Sequence, residues 1–306
     1  MVSTPIPTVA PVRQNRGRRL IGNARRAWRE GSPAERTFLA VAYLAATAWA
    51  IVSLFPLYWM ISTALKPPTS IMTLPPQWIP ESVSLDNFRE AFAGSPVMRW
   101  TINSFAMALS VTAFQLLFAT MAGYGFAKKQ FPGREVIFWL YISSLMIPSF
   151  ALLIPQFTLM SRFGLVNTYL GLIAPGLSAP FGVFLMRQFI QTLPSELIDA
   201  AKIDGCSELR VFKDIIVPLA KPGLAVLGIF VFMGQWSSFL WPLIVTQSSD
   251  MQTLMVGFAL LANRELRVNY GALMAAGTYM AIPMLVVFFA FQRYFLRGIT
   301  IGGIKG

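Results

Sequence analysis

The sequence predicts an all-α integral membrane protein with six transmembrane helices, on three observations. Of its 306 residues, 55% are hydrophobic and 12% charged, about half the charged share of an average soluble chain. Six apolar runs succeed one another, most of them close to the roughly 20 residues that cross a bilayer. Lys and Arg are divided unevenly between alternate loops, nineteen on the side of the N-terminus and six opposite. By the positive-inside rule both termini are then cytoplasmic.

Taken in order, residues 1–12 are Pro-rich. Residues 13–36 carry eight arginines among Leu20, Ile21, Ala24, Ala27 and Trp28 at helical spacing. This basic tail, residues 1–36, reads either as an interfacial helix or as a disordered segment held near anionic lipid. The remaining residues, 37–306, form one six-span domain. The first run, about 38–62, is too long for a signal-peptide core and reads as an uncleaved span. The other runs are about 102–127, 136–160, 170–186, 222–245 and 272–291. Residues 66–100, with PPQWIP at 75–80, are long enough to carry short structure outside the membrane. Trp59, Trp78, Trp100 and Trp241 stand near span ends and read as interfacial anchors.

Composition excludes several function classes. The net charge of +12 comes with arginines crowded before the first span, which points to membrane orientation and not to nucleic acid. The single cysteine, Cys206, rules out an intrachain disulfide framework, a Cys-based zinc cluster and a CxxC pair, and the lack of histidine removes His-based catalysis and haem ligation by His. No Asp, Glu, Lys or Arg lies within the six spans, which speaks against a self-energised carrier with ionisable groups at membrane depth. An integral-membrane transferase or protease would need a catalytic constellation. The clustered carboxylates Glu196, Asp199, Asp204, Glu208 and Asp214 instead read as a solvated helix face.

Those carboxylates lie in the loop 189–221, where the sequence over 193–223 reads LPSELIDAAKIDGCSELRVFKDIIVPLAKPG. The sequence predicts a short helix capped by Ser195, with Glu196 and Asp199 in its first turn, ended by Gly205 at positive φ. A second helix then follows, with Val211, Phe212, Ile215 and Ile216 on its apolar face, and Pro218 breaks it before the fifth span. Asp199-Ala200-Ala201, three residues, Gly205, nine residues, Ile215, one residue and Val217-Pro218 resemble the EAA signature of permease subunits of ATP-binding-cassette (ABC) importers. Asp199 stands where that family has Glu, and Val217 where it has Leu. The ending, Gln292-Arg293-Tyr294-Phe295 followed by a Gly-rich tail closing in Lys305-Gly306, is similar to carbohydrate-type members.

The resemblance implies the six-span, type I ABC importer permease fold of the maltose-permease kind. It also implies half of a sugar path working by alternating access in a bacterial or archaeal cell membrane. The implied partners are a second, different permease subunit, two ATPase subunits that carry ATP and Mg, and an extracytoplasmic sugar-binding protein. The chain itself would be no enzyme and hold no cofactor. Asp199, Ala200, Ala201, Gly205, Ile215 and Pro218 would couple it to the ATPase. Neutral polar groups within spans are the candidate sugar contacts: Asn103, Gln115, Gln156, Gln235, Ser237, Ser238 and Tyr279, with Trp236 and Phe239 as stacking surfaces. Each of these is open to a second reading, a helix-to-helix hydrogen bond. Glycerol-3-phosphate or a polyol is the alternative substrate, and a secondary carrier the alternative class.

Overall fold

A computed structural model describes residues 32–93, 95–262 and 269–302, with 293–302 described by backbone alone. The basic tail as far as residue 31 and the Lys305-Gly306 ending lie outside the described residues. Every regular element among those described is helical. The chain divides into two units, residues 1–59 and 60–306.

The first unit holds most of helix α1 (Pro33–Ala64). It starts five residues before the apolar run because Ser32 and Glu35 form a reciprocal capping box. The Ser32 amide donates to Glu35 Oε2 at 2.8 Å and the Glu35 amide to Ser32 Oγ at 3.3 Å, with Pro33 at the first helical position. Side chains such as Phe38, Leu44, Trp49 and Ile51 are exposed, as suits a helix whose solvent is lipid.

In the second unit, Asn87 on α2 (Asp86–Phe92) ties off the end of α1, donating through Nδ2 to the carbonyls of Ala64 and Lys66. The central element is α3 (Val97–Lys128), 32 residues without a break. It packs most extensively against α7 (Pro180–Gln191) and then α10 (Lys221–Trp236). Small residues set the α3–α7 distance. A Cβ on Gly123 would lie 2.8 Å from Met186 Cβ, and one on Gly182 3.1 Å from Ala119 Cβ, so the two backbones meet closely, as membrane helices do at small residues.

Three further spans are interrupted where the sequence predicts continuous runs. The third is α4 (Arg134–Ser143), a 3-10 turn, then α5 (Ser149–Arg162), with a bend of 99° ending at Pro148. The fourth is α6 (Tyr169–Ile173), a 3-10 turn at Ala174–Gly176, then α7, bent by 46° at Pro180. The fifth breaks after Trp236 and resumes as α11 (Leu240–Val245). With α1, α3 and α12 (Tyr270–Gly302), the helices give up to six spans when each bent pair is taken as one, the third such pair being Glu208–Leu219 with α10. A window average misses these bends because both arms of each are equally apolar.

The tryptophans divide as well. Trp78 is exposed, but Trp100 is only 3% exposed, and its Nε1 donates to Ser249 O at 2.7 Å. Trp241 donates to Gly171 O. These two join elements of the fold, and the default anchor reading fails for them.

Candidate functional site

The signature-bearing loop folds into α8 (Glu196–Ile203) and α9 (Glu208–Leu219). Gly205 sits at φ +76°. The Gly205 amide donates to Lys202 O and the Cys206 amide to Ala201 O. These are the two bonds of a Schellman motif, which requires the left-handed conformation at the glycine. No atom lies within 4 Å of where a Cβ on Gly205 would stand, so the need for glycine there is purely conformational.

Two local expectations fail. Ser195 is helical in backbone and makes no cap bond; its Oγ accepts from Lys128 Nζ at 3.1 Å. Pro218 is exposed and does not end its helix. The turn before it widens into a π-helix over Val211–Ile216, an arrangement that accommodates the missing N–H of proline without breaking the run. The 76° bend falls later, between Leu219 and Lys221.

The orientation of α8 divides the motif. Ile198 and Ala201 are buried against the core. Asp199 and Ala200 face outward, Asp199 without a side-chain partner among the described residues. Around them Leu197 is 45% exposed, Ile203 86% and, beyond the turn, Leu209 73%. Ile215 is half-buried against the core. The outward surface is thus apolar, small at its centre and edged by carboxylates. Leu197, Ala200 and Ile203, spaced three apart on a polar loop, were the sequence signal for this face.

The end of α3 holds the loop on both sides of α8. Before it, Lys128 Nζ donates to Leu193 O at 2.6 Å and to Ser195 Oγ. After it, Glu208 accepts from Lys129 Nζ and from the Tyr124 hydroxyl, the latter at 3.1 Å, and lies 3.8 Å from Lys202 Nζ on α8. The hydrogen bond from Lys129 holds the Glu208 carboxyl below its ordinary pKa. Tyr124 also packs on Phe212 of α9. Nearby, Arg187 is buried on α7 and grips both oxygens of Glu135 at 2.7 and 2.8 Å, its guanidinium 3.8 Å above the Phe138 ring.

The candidate sugar contacts differ in what they touch, although Gln115 and Gln235 both come to Gly176. Asn103 is buried and has all its polar groups engaged, with Nδ2 donating to Asp250 O and Gln252 O and Oδ1 accepting from the Tyr169 hydroxyl. Gln115 donates to Gly176 O at 2.6 Å, and the Tyr279 hydroxyl meets Thr101 Oγ1 at 3.2 Å. Trp236 is 5% exposed, bonded to Met280 O and packed against Phe105 and Phe232. Ser237 is exposed and bonds back to Met233 O of its own helix. Gln156, Gln235 and Ser238 are half-buried and make no side-chain hydrogen bond among the described residues.

Comparison with known proteins fits this geometry. The chain is 40% identical over 260 residues to the arabinooligosaccharides transport system permease protein AraQ of Halalkalibacterium halodurans, covering 84% of this chain and 93% of that protein. It is 32% identical over 256 residues to the sn-glycerol-3-phosphate transport system permease protein UgpE of Shigella flexneri, covering 81% and 91%. In fold it is similar to a solved bacterial ABC transporter involved in the import of the acidic polysaccharide alginate, with a TM-score of 0.76 at 19% identity over 86% of this chain and 98% of that one. Residues 115–301 match the family described as binding-protein-dependent transport system inner membrane component. The chain belongs to that family of membrane permeases.

Proposed function

We propose that this chain is one permease subunit of an ATP-driven ABC importer and forms half of the path for a di- or oligosaccharide delivered by an extracytoplasmic binding protein. The observation that carries this reading is α8, where the signature residues Asp199 and Ala200 stand on an outward apolar face with Leu197 and Ile203. A small, apolar, exposed helix face of this kind suits docking into a cleft on a soluble subunit. In this reading two ATPase subunits carry ATP and Mg, a second, different permease completes the path, and both termini are cytoplasmic. Gln156, Gln235, Ser237 and Ser238 are the pathway groups still free to meet sugar hydroxyls, while Asn103, Gln115 and Tyr279 act within the scaffold.

Similarity to AraQ supports an oligosaccharide as substrate, and similarity to UgpE keeps glycerol-3-phosphate as the second reading. The six apolar runs of the sequence hold no cation and the buried Arg187 on α7 is taken by Glu135, which favours the neutral ligand, since a phosphate would call for a cation at its site.

The test uses the complete importer. Ala200→Arg puts a cation at the centre of the docking face, and an unpaired charge buried in an interface costs several kcal/mol. The variant inserts normally but loses its ATPase subunits on purification and loses uptake. Retention of both would sink the docking assignment. Accumulation of sugar against a gradient by vesicles holding this chain alone would sink the importer reading. For topology, an impermeant thiol reagent on intact cells leaves Cys206 unlabelled until the membrane is opened.

A further inference from the structure

We infer that Lys128, Lys129 and Tyr124 are positioning residues that lock α8 to the end of α3 from both sides, so that a displacement of α8 is delivered to α3. The inference rests on the reading of α8 as the docking element and adds the route by which its movement enters the membrane.

The geometry is that of a closed loop of contacts. Lys128 holds the chain entering α8, through Leu193 O and Ser195 Oγ. Its ammonium sits just past the C-terminus of α7, the negative end of that helix, where a cation is favoured. The chain leaving α8 is held by Glu208, whose carboxylate joins Lys129 and Tyr124 of the α3 end to Lys202 of α8 itself. Tyr124 and Lys128 are four residues apart and share one face of α3, so a single helix end reaches both flanks. Ile198 and Ala201 fill the space between them against the core.

At its other end α3 is bonded to residues 249–254 through Trp100, Asn103 and Ser104. Its 32 residues run unbroken between the two sets of contacts, whereas the third, fourth and fifth spans bend. A bent span can absorb a push at its hinge, and a continuous helix passes it on. The ion pairs themselves are half exposed, with side-chain exposures of 29% for Lys129 and 57% for Glu208. A purely stabilising role for them would therefore be a small one.

The experiment compares Lys129→Met, Glu208→Gln and the swap Lys129→Glu/Glu208→Lys, the last made in a Lys202→Met background so that the new lysine meets no like charge, in the complete importer with its binding protein, in nanodiscs. Three readouts are taken: ATPase subunits retained, basal ATPase, and ATPase stimulated by the sugar-loaded binding protein. The single variants retain their ATPase subunits and a basal rate within about twofold, while stimulation and uptake fall about tenfold, within the range by which positions along a coupling route act. The swap restores at least half of the stimulation. Wild-type stimulation in both single variants overturns the inference. So does a swap that behaves like the singles, which also decides the matter if Lys129→Met reduces abundance. Failure of the docking reading has a different signature, full retention and uptake in Ala200→Arg.

Discussion

The two ends of α3 hold their neighbours by different chemistry. At the Val97 end the bonds are neutral and buried: Trp100 to Ser249 O, Asn103 to Asp250 O, Gln252 O and Tyr169, and the Leu254 amide to Ser104 Oγ at 2.8 Å. Most run from a side chain to the backbone of a loop about 150 residues away, so they fix the loop's path whatever its side chains are. At the Lys128 end the bonds are charged and half exposed, and they reach the two flanks of α8. A buried neutral network is costly to open because each freed group is left without water. An exposed ion pair exchanges its partner for water at little cost. The first end is suited to holding a buried loop, and the second to holding both flanks of α8 by contacts that tolerate water.

The largest expected effect tests the buried end. Asn103→Leu leaves Gln252 O and the Tyr169 hydroxyl without their partner, while Asp250 O keeps Arg99 at 3.4 Å, and at about 1–3 kcal/mol for an orphaned buried group the purified permease should melt clearly lower than wild type. A shift no larger than that of Lys129→Met would remove the contrast. Next is the α3–α7 crossing between the two ends. In Gly123→Ala the added methyl meets Met186 Cβ and the Arg187 backbone amide within 3 Å, an overpacking cost of about 1–3 kcal/mol, read as a lower melting temperature and weaker assembly.

Smaller still is Gly205→Ala beside the charged end. Its cost, about 1 kcal/mol, comes from φ alone because the space is open. Gly205→Asn should recover part of it, and equal losses for the two would mean that space matters after all. The smallest effect is on stability in Lys129→Met or Glu208→Gln, at most about 1 kcal/mol and vanishing in high salt, while Asn103→Leu keeps its full cost there. The pH dependence follows in sign. Lys129 depresses the Glu208 pKa below its ordinary 4.5, so the pair contributes fully above that pH and is lost as acid protonates the carboxylate. Stimulated ATPase titrated between pH 6 and 8 should show no step from this pair.

Much of this was legible in the sequence. Six apolar runs gave the six crossings, and the spacing of Asp199, Ala200, Ala201 and Gly205 placed a helix and a left-handed turn where the structure has them. What was hidden depends on rotation or on distance along the chain. Ala200 and Ala201 are neighbours in sequence, but a turn of about 100° per residue sends one outward and the other into the core. Asn103 stayed open between a sugar contact and a scaffold hydrogen bond because its partners are 66 to 149 residues away. The cap expected of Ser195 was pre-empted by Lys128, a residue from another span.

The length of α3 has a mechanical consequence. Its 32 residues measure about 48 Å against a hydrocarbon core of about 30 Å, so the helix is long enough to carry its terminal residues past the lipid tails at both ends. A helix that overhangs the membrane at both ends is a lever pivoting within it. A tilt of only about 10° moves one end about 8 Å sideways relative to the other, more than the rise of about 5.4 Å in one helical turn. If α3 turns as one body about its close backbone crossing at Gly123, which lies nearer the Lys128 end, a short stroke at α8 would become a longer one beside residues 249–254.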